Sequence, residues 1–106
     1  MKTRRRLATT RHTVFELADS LLLVFKPRGH AEPEHAHAHR QRLRILRGGL
    51  VVRTRTRSRT LRPASPPLTL PAGRAHTTVA LEDTWLTAEA LPAKRRRSDP
   101  LQRAGK

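Results

Sequence analysis

Nowhere in this sequence do apolar residues recur at helical spacing over ten or more positions, and that governs what the chain can fold into. It breaks instead into short apolar or alternating runs at 12–17, 21–26, 42–47, 50–55, 67–70, 75–81 and 84–90. Each run has strand length, and turn-forming residues separate them. The pattern predicts an all-β fold, a small antiparallel sandwich or barrel.

Gly48-Gly49, between two apolar runs, is the sharpest turn signal, because a two-residue hairpin turn requires φ > 0. Taken as that turn, it pairs Arg47 with Leu50, Ile45 with Val52, Arg44 with Arg53 and Arg42 with Arg55. Leu43, Ile45, Val52 and Thr54 then share one face, and Arg42, Arg44, Arg53 and Arg55 form a ladder on the other. Gln41 has the parity of Leu43 and Ile45, which points it inward. Like charges directly opposite one another cost stability, so such a ladder calls for solvent, an acidic partner or an anion.

A chain of 106 residues is one domain, close to the lower limit for burying its own core. Its aromatics are Phe15, Phe25 and Trp85, so the core must be aliphatic. Without cysteine there is no disulfide framework, thiolate metal site or thiol nucleophile, which suits a reducing compartment. The longest apolar run, Leu21 to Phe25, is far short of the ~20 residues of a membrane span. Arg4-Arg5-Arg6 has no apolar segment after it, so it does not read as an export signal, and the expected location is cytoplasmic.

The formal charge of +15 invites a nucleic-acid reading. Arginine outnumbers lysine nineteen to four, however, and the basic residues are spread along the chain, with dense clusters only at 4–6 and 94–97. No aromatics interleave with them to stack on bases, which leaves non-specific phosphate contact as the most the chain offers. Nucleic acid is therefore not the favoured partner. The unpatterned ends, 1–11 and 93–106, read as basic tails flanking a β domain at 12–92.

Two stretches carry the chemistry. The first, "EHAHAHRQ", sets His35, His37 and His39 at alternate positions ahead of Gln41. The second, "SPPLTLPAGRAHTTVA", has a tight turn at Pro71-Ala72-Gly73 and then His76 at the start of a strand. With Gly29, five residues, His35-x-His37, three residues, Gln41, six residues and Gly48, the first resembles the first motif of the cupin superfamily. With Ser65, five residues, Pro71-x-Gly73, two residues, His76, three residues and Ala80, the second resembles the second cupin motif. The resemblance spans 29–90; it departs from the family at Gln41, Ser65 and Ala80, where cupins carry Glu, Gly and Asn.

The resemblance implies a small antiparallel β-barrel, a double-stranded jelly roll, that pairs into homodimers. It implies that His35, His37 and His76 are imidazole ligands of one divalent metal, with Gln41 where the family's carboxylate ligand lies. The physical chemistry agrees: two histidines two apart on a strand share a face, and a third from a distant strand closes the set. Imidazoles suit iron, nickel, copper, zinc or cobalt; manganese stays in the candidate set but should bind less well, because an amide oxygen brings no charge. The ion would keep its full charge and favour an anionic small-molecule ligand.

His39 falls in the turn after the motif and reads as a spare. Arg74, Glu32 and Glu34 flank the site and read as solvated residues, with an anion fork (Arg74) or acid-base work (Glu32, Glu34) as their functional alternatives. Trp85 reads as core or dimer interface. Three functions stay open: a metal-dependent enzyme on a small molecule, a non-catalytic metal- or ligand-binding cupin, and a basic nucleic-acid-binding module.

Overall fold

The computed structural model describes residues 11–92, so the basic tails lie almost wholly outside the described residues. Within these residues the chain is entirely strands and turns: β1 (Thr13–Ala18), β2 (Leu21–Lys26), β3 (Ala31–His35), β4 (Arg40–Arg47), β5 (Leu50–Thr54), β6 (Ser58–Leu61), β7 (Leu68–Leu70), β8 (His76–Ala80) and β9 (Thr84–Leu91). One sheet runs β1-β2-β9-β4-β7 and the other β3-β8-β5-β6, every pairing being antiparallel. Two such sheets face to face make the jelly-roll barrel.

The core is aliphatic, as the shortage of aromatics requires: Val24, Leu43, Ile45, Leu50, Val52, Leu61, Leu70, Ala80, Leu86 and Ala88 are buried together. Strand alternation supplies them. In β9, Thr84, Leu86 and Ala88 point inward, and Trp85, Thr87 and Glu89 point outward. Trp85 is consequently not a core residue. Its ring lies on the outer face with Phe25 at 4.9 Å and Phe15 at 6.3 Å between centroids.

The glycine pair corrects the hairpin expectation. β5 is hydrogen-bonded on one edge to β8 and on the other to β6, both in the second sheet, so it has no edge left for β4. Gly48-Gly49 therefore carries the chain from one sheet to the other instead of folding it back. Only Gly48 has positive φ, at 93°, and a Cβ there would sit 2.5 Å from Asp83 O and 2.6 Å from Thr84 Oγ1. Gly49 N donates to Thr84 Oγ1 at 3.1 Å. That fully buried hydroxyl lies 3.0 Å from Gly49 O and 2.7 Å from Glu82 O, with its one proton for either carbonyl.

The arginine ladder fails with the hairpin. Arg42 lies opposite Glu89 and Thr69, Arg44 opposite Thr87, and Arg53 opposite Thr77 and Ser58. No like charges face each other at these positions. Arg42 donates to Glu89 Oε1 from both Nε and Nη2, at 3.2 and 3.1 Å. Both side chains are well exposed, so the pair adds little stability. Leu46 shares the outward parity of Arg44 and is exposed, and a bulge between Ile45 and Arg47 leaves Arg47, of inward parity, exposed as well.

Gly48 and Gly29 separate two effects of a side chain on the backbone. Both have positive φ, but nothing lies within 4 Å of a Cβ added at Gly29. Gly29→Ala should cost only the left-handed strain, about 1–2 kcal/mol. Gly48→Ala should cost more, because the Asp83–Thr84 backbone must also shift. Urea unfolding of the two variants against the parent gives the comparison, and equal losses would show that the crossover is not tightly held.

Candidate metal centre

The β3–β8 ladder assembles the site. Its register places His35 opposite His76, and Glu32 opposite Thr78. Three residues on β3 thus span two on β8, which is a bulge of one residue. In a regular strand, positions three apart point to opposite faces. The extra residue brings Glu32 and His35 to the same side, and both line the cavity between the sheets. Parity alone could not have placed Glu32 there.

His37 lies just past the end of β3, in the loop leading to β4. Gly73 N donates to His37 O at 2.8 Å, which ties this loop to the turn preceding His76. Gly73, at φ 77°, gives that turn its left-handed step. The ring centroids of His35 and His76 are 4.4 Å apart, His35 and His37 4.9 Å, and His37 and His76 5.4 Å. One nitrogen from each ring falls within 4.8 Å of the others, a grouping compact enough to hold one ion.

Two of the rings have defined tautomers. His35 Nδ1 lies 2.9 Å from Pro33 O, and His76 Nδ1 lies 3.0 Å from Arg74 O. A carbonyl only accepts, so each Nδ1 carries the proton in the neutral ring and each Nε2 keeps its lone pair for a ligand position. His37 has its pKa lowered by burial, and then by the neighbouring His35, His76 and His39 imidazoles. The lowered pKa favours the neutral, coordinating form of His37.

Gln41, at the start of β4, lines the same cavity and is half-buried. The cavity holds about 140 Å³. His39 is exposed and lies outside the three-nitrogen grouping, its ring 5.6 Å from that of His37. Arg74 and Glu34 are exposed; Arg74 serves the site through its carbonyl.

The residues the sequence reading passed over are Lys26, Thr78 and His12, and it undervalued Glu32. All four line the cavity. Lys26 shares strand parity with Leu22 and Val24, and that was the available signal for a lysine facing inward. Its ammonium donates to Glu32 Oε1 at 2.8 Å and to Thr78 Oγ1 at 3.1 Å, with the side chain only 7% exposed. Burial raises the Glu32 carboxyl, but Lys26, by charge and hydrogen bond, and then His35 and His12 outweigh it and bring the pKa to about 2. Glu32 Oε2 lies 4.0 Å from His35 Nε2, beyond hydrogen-bond distance, so the carboxylate stands between the lysine and the histidines without bonding the ring.

No family model matches the sequence, and no curated protein does. Solved structures match the fold. KdgF from Halomonas sp. is 23% identical with a TM-score of 0.62, the match covering 81% of each chain. A cupin superfamily protein from Desulfitobacterium hafniense is 17% identical with a TM-score of 0.65, covering 85% of this chain and 84% of that one. YcfD, a ribosomal oxygenase from Escherichia coli solved with cobalt and succinic acid, is 20% identical with a TM-score of 0.63. That match covers 73% of this chain and 24% of the oxygenase.

The Lys26–Glu32 pair sets a pH signature. Folding lowers the Glu32 pKa from 4.5 to about 2, so folding favours the ionised carboxylate. Its contribution is complete above the unfolded value and drains away as pH falls through that window. Wild-type stability minus that of Glu32→Gln should therefore shrink between pH 4.5 and about 2 and stay flat above it. Urea titrations across pH measure the difference, and one that grew on acidification would contradict the pairing.

Proposed function

Because the chain has the fold of the cupin superfamily, we propose that it is a single-domain cupin holding one divalent metal in its barrel and binding or transforming a small molecule there. His35, His37 and His76 supply three imidazoles, and Gln41 supplies an amide oxygen as the fourth protein donor. The observation that carries this reading is the convergence of the three rings, with Nδ1 of two of them bonded to backbone carbonyls. Carbonyl-anchored imidazoles are the usual second shell of histidine metal ligands.

The donor set contains no charged ligand, so a divalent ion keeps its charge and suits borderline metals: iron, nickel, zinc, copper or cobalt. The solved structure of a ribosomal oxygenase of this fold with cobalt supports a transition metal. When bound, the ion would polarise a ligand oxygen or acidify a water. This reading places the protein in the cytoplasm, which suits a cysteine-free chain, as a homodimer.

Untagged protein dialysed against Fe²⁺, Ni²⁺, Zn²⁺, Cu²⁺ or Mn²⁺ in turn should take up one ion per chain, by elemental analysis. His37→Ala and His76→Ala should retain none. Saturation at a hundred times Kd should stabilise the fold by about 2.7 kcal/mol, since the ion binds only the assembled site. Gln41→Glu should raise Mn²⁺ affinity at least tenfold by restoring a charged oxygen. Sub-stoichiometric uptake of every ion would reject the metal reading.

A further inference from the structure

Inside the barrel, beside the three histidines, sits a charged group that the metal reading does not use. Lys26 is buried, yet its side chain lines the cavity instead of reaching water. Its ammonium has three N–H groups and, among the described residues, two acceptors, Glu32 Oε1 and Thr78 Oγ1. Thr78 in turn donates to Glu32 Oε1 at 3.4 Å, so the three side chains form a closed triangle. The third N–H of Lys26 is left for whatever enters the cavity.

Burying a lysine against a half-buried carboxylate to hold two strands together is poorly rewarded. Desolvating both charges offsets most of their attraction, and apolar residues of similar size do as well or better. An ion pair set on a cavity wall has another use, as a fixed donor that a ligand meets without reorganisation. Much of the remaining cavity wall is aliphatic, with Leu22, Val24, Leu43, Leu50 and Leu86. At about 140 Å³, the cavity matches the ~150 Å³ that admits a benzene-sized guest.

We propose that Lys26, held by Glu32 and Thr78, is an anchor for the carboxylate of a small, largely aliphatic organic acid bound in the barrel beside the histidine triad. The proposal rests on the reading of the barrel as a ligand site with a metal on His35, His37 and His76. The charges agree. The Lys26–Glu32 pair is neutral as a unit, and Gln41 contributes no anion. A divalent ion on neutral imidazoles therefore leaves the interior two positive charges in excess, which an anionic ligand reduces. A carboxylate fits better than a phosphate. The cavity lining offers this one ammonium with the side chains of His12 and Gln41, and no arginine fork to satisfy three phosphate oxygens.

The test compares isobutyrate with its neutral isostere isobutyramide by calorimetric titration of the metal-loaded full chain. The parent should bind the acid at least tenfold more tightly than the amide. The informative variant is Lys26→Met with Glu32→Gln, which removes both charges together and leaves neither buried alone. It should take up the same metal, by elemental analysis, and lose at least tenfold of the preference for the acid. Lys26→Arg, which keeps a cation, should retain part of it and serves as a second variant should the double one fold poorly. Equal binding of acid and amide, binding of neither, or a preference that survives loss of Lys26 would overturn the proposal; in the last case the metal alone selects the anion. If the parent takes up no metal, the metal reading fails by itself. The same titrations on the metal-free protein then decide the anchor, a preference dependent on Lys26 supporting it and no preference overturning it.

Discussion

Saturation of β5 on both edges is the constraint from which the architecture follows. A strand already bonded to β8 on one side and β6 on the other cannot also pair with β4. The chain after Arg47 must therefore leave the sheet, and a crossover within two residues needs a backbone step that a side chain would block. Gly48 supplies the step and its closeness to the Asp83–Thr84 backbone; the Thr84 hydroxyl and Gly49 hold the other end. Leu50 then begins β5 in the second sheet, between β8 and β6, and is completely buried. Two sheets with inward-facing aliphatic rows result, and the cavity lies between those rows.

The same economy places the histidines. β3 and β8 are far apart in sequence, but their ladder sets His35 against His76, and one hydrogen bond from Gly73 to the His37 carbonyl brings the third ring alongside. Carbonyls of Pro33 and Arg74, each two residues before the histidine they serve, fix two of the rings. No distant side chain is needed for that orientation. Strand, bulge and turn do the positioning, which is how a domain of this size builds a site without a large supporting shell.

Much of this was legible in the sequence, and the exceptions have physical causes. Seven strands and the all-β class followed from alternation and turn residues. β6, "SRTL", was missed because it is mostly polar and exposed on a sheet edge, and β3, "AEPEH", because a bulge disrupts its alternation. His35, His37, Gln41 and His76 could be singled out because motif spacing is local. The glycine pair was misread because two residues with φ > 0 and a two-residue crossover look alike until the partners of β5 are known. Lys26 and Glu32 illustrate the general difficulty. A lysine at the end of an apolar strand and a glutamate beside a proline look solvated, and their pairing depends on which strands become neighbours.

Charge outside and charge inside this barrel are separate matters. Apart from the partly buried Arg40 and Arg42, the arginines of β4, β5 and the following turns are exposed, where solvent and salt screen them, and Arg42 and Arg62 meet Glu89 and Glu82. None lines the cavity. A formal charge of +15 thus says little about the ligand, while a single lysine, one carboxylate and three imidazoles in a low-dielectric space say a good deal. In the cavity each charge acts at short range and is weakly screened. Gln41, an amide where the cupin motif it resembles has a glutamate, keeps a whole negative charge out of this cavity, which is more than any substitution on the arginine-rich exterior would change there.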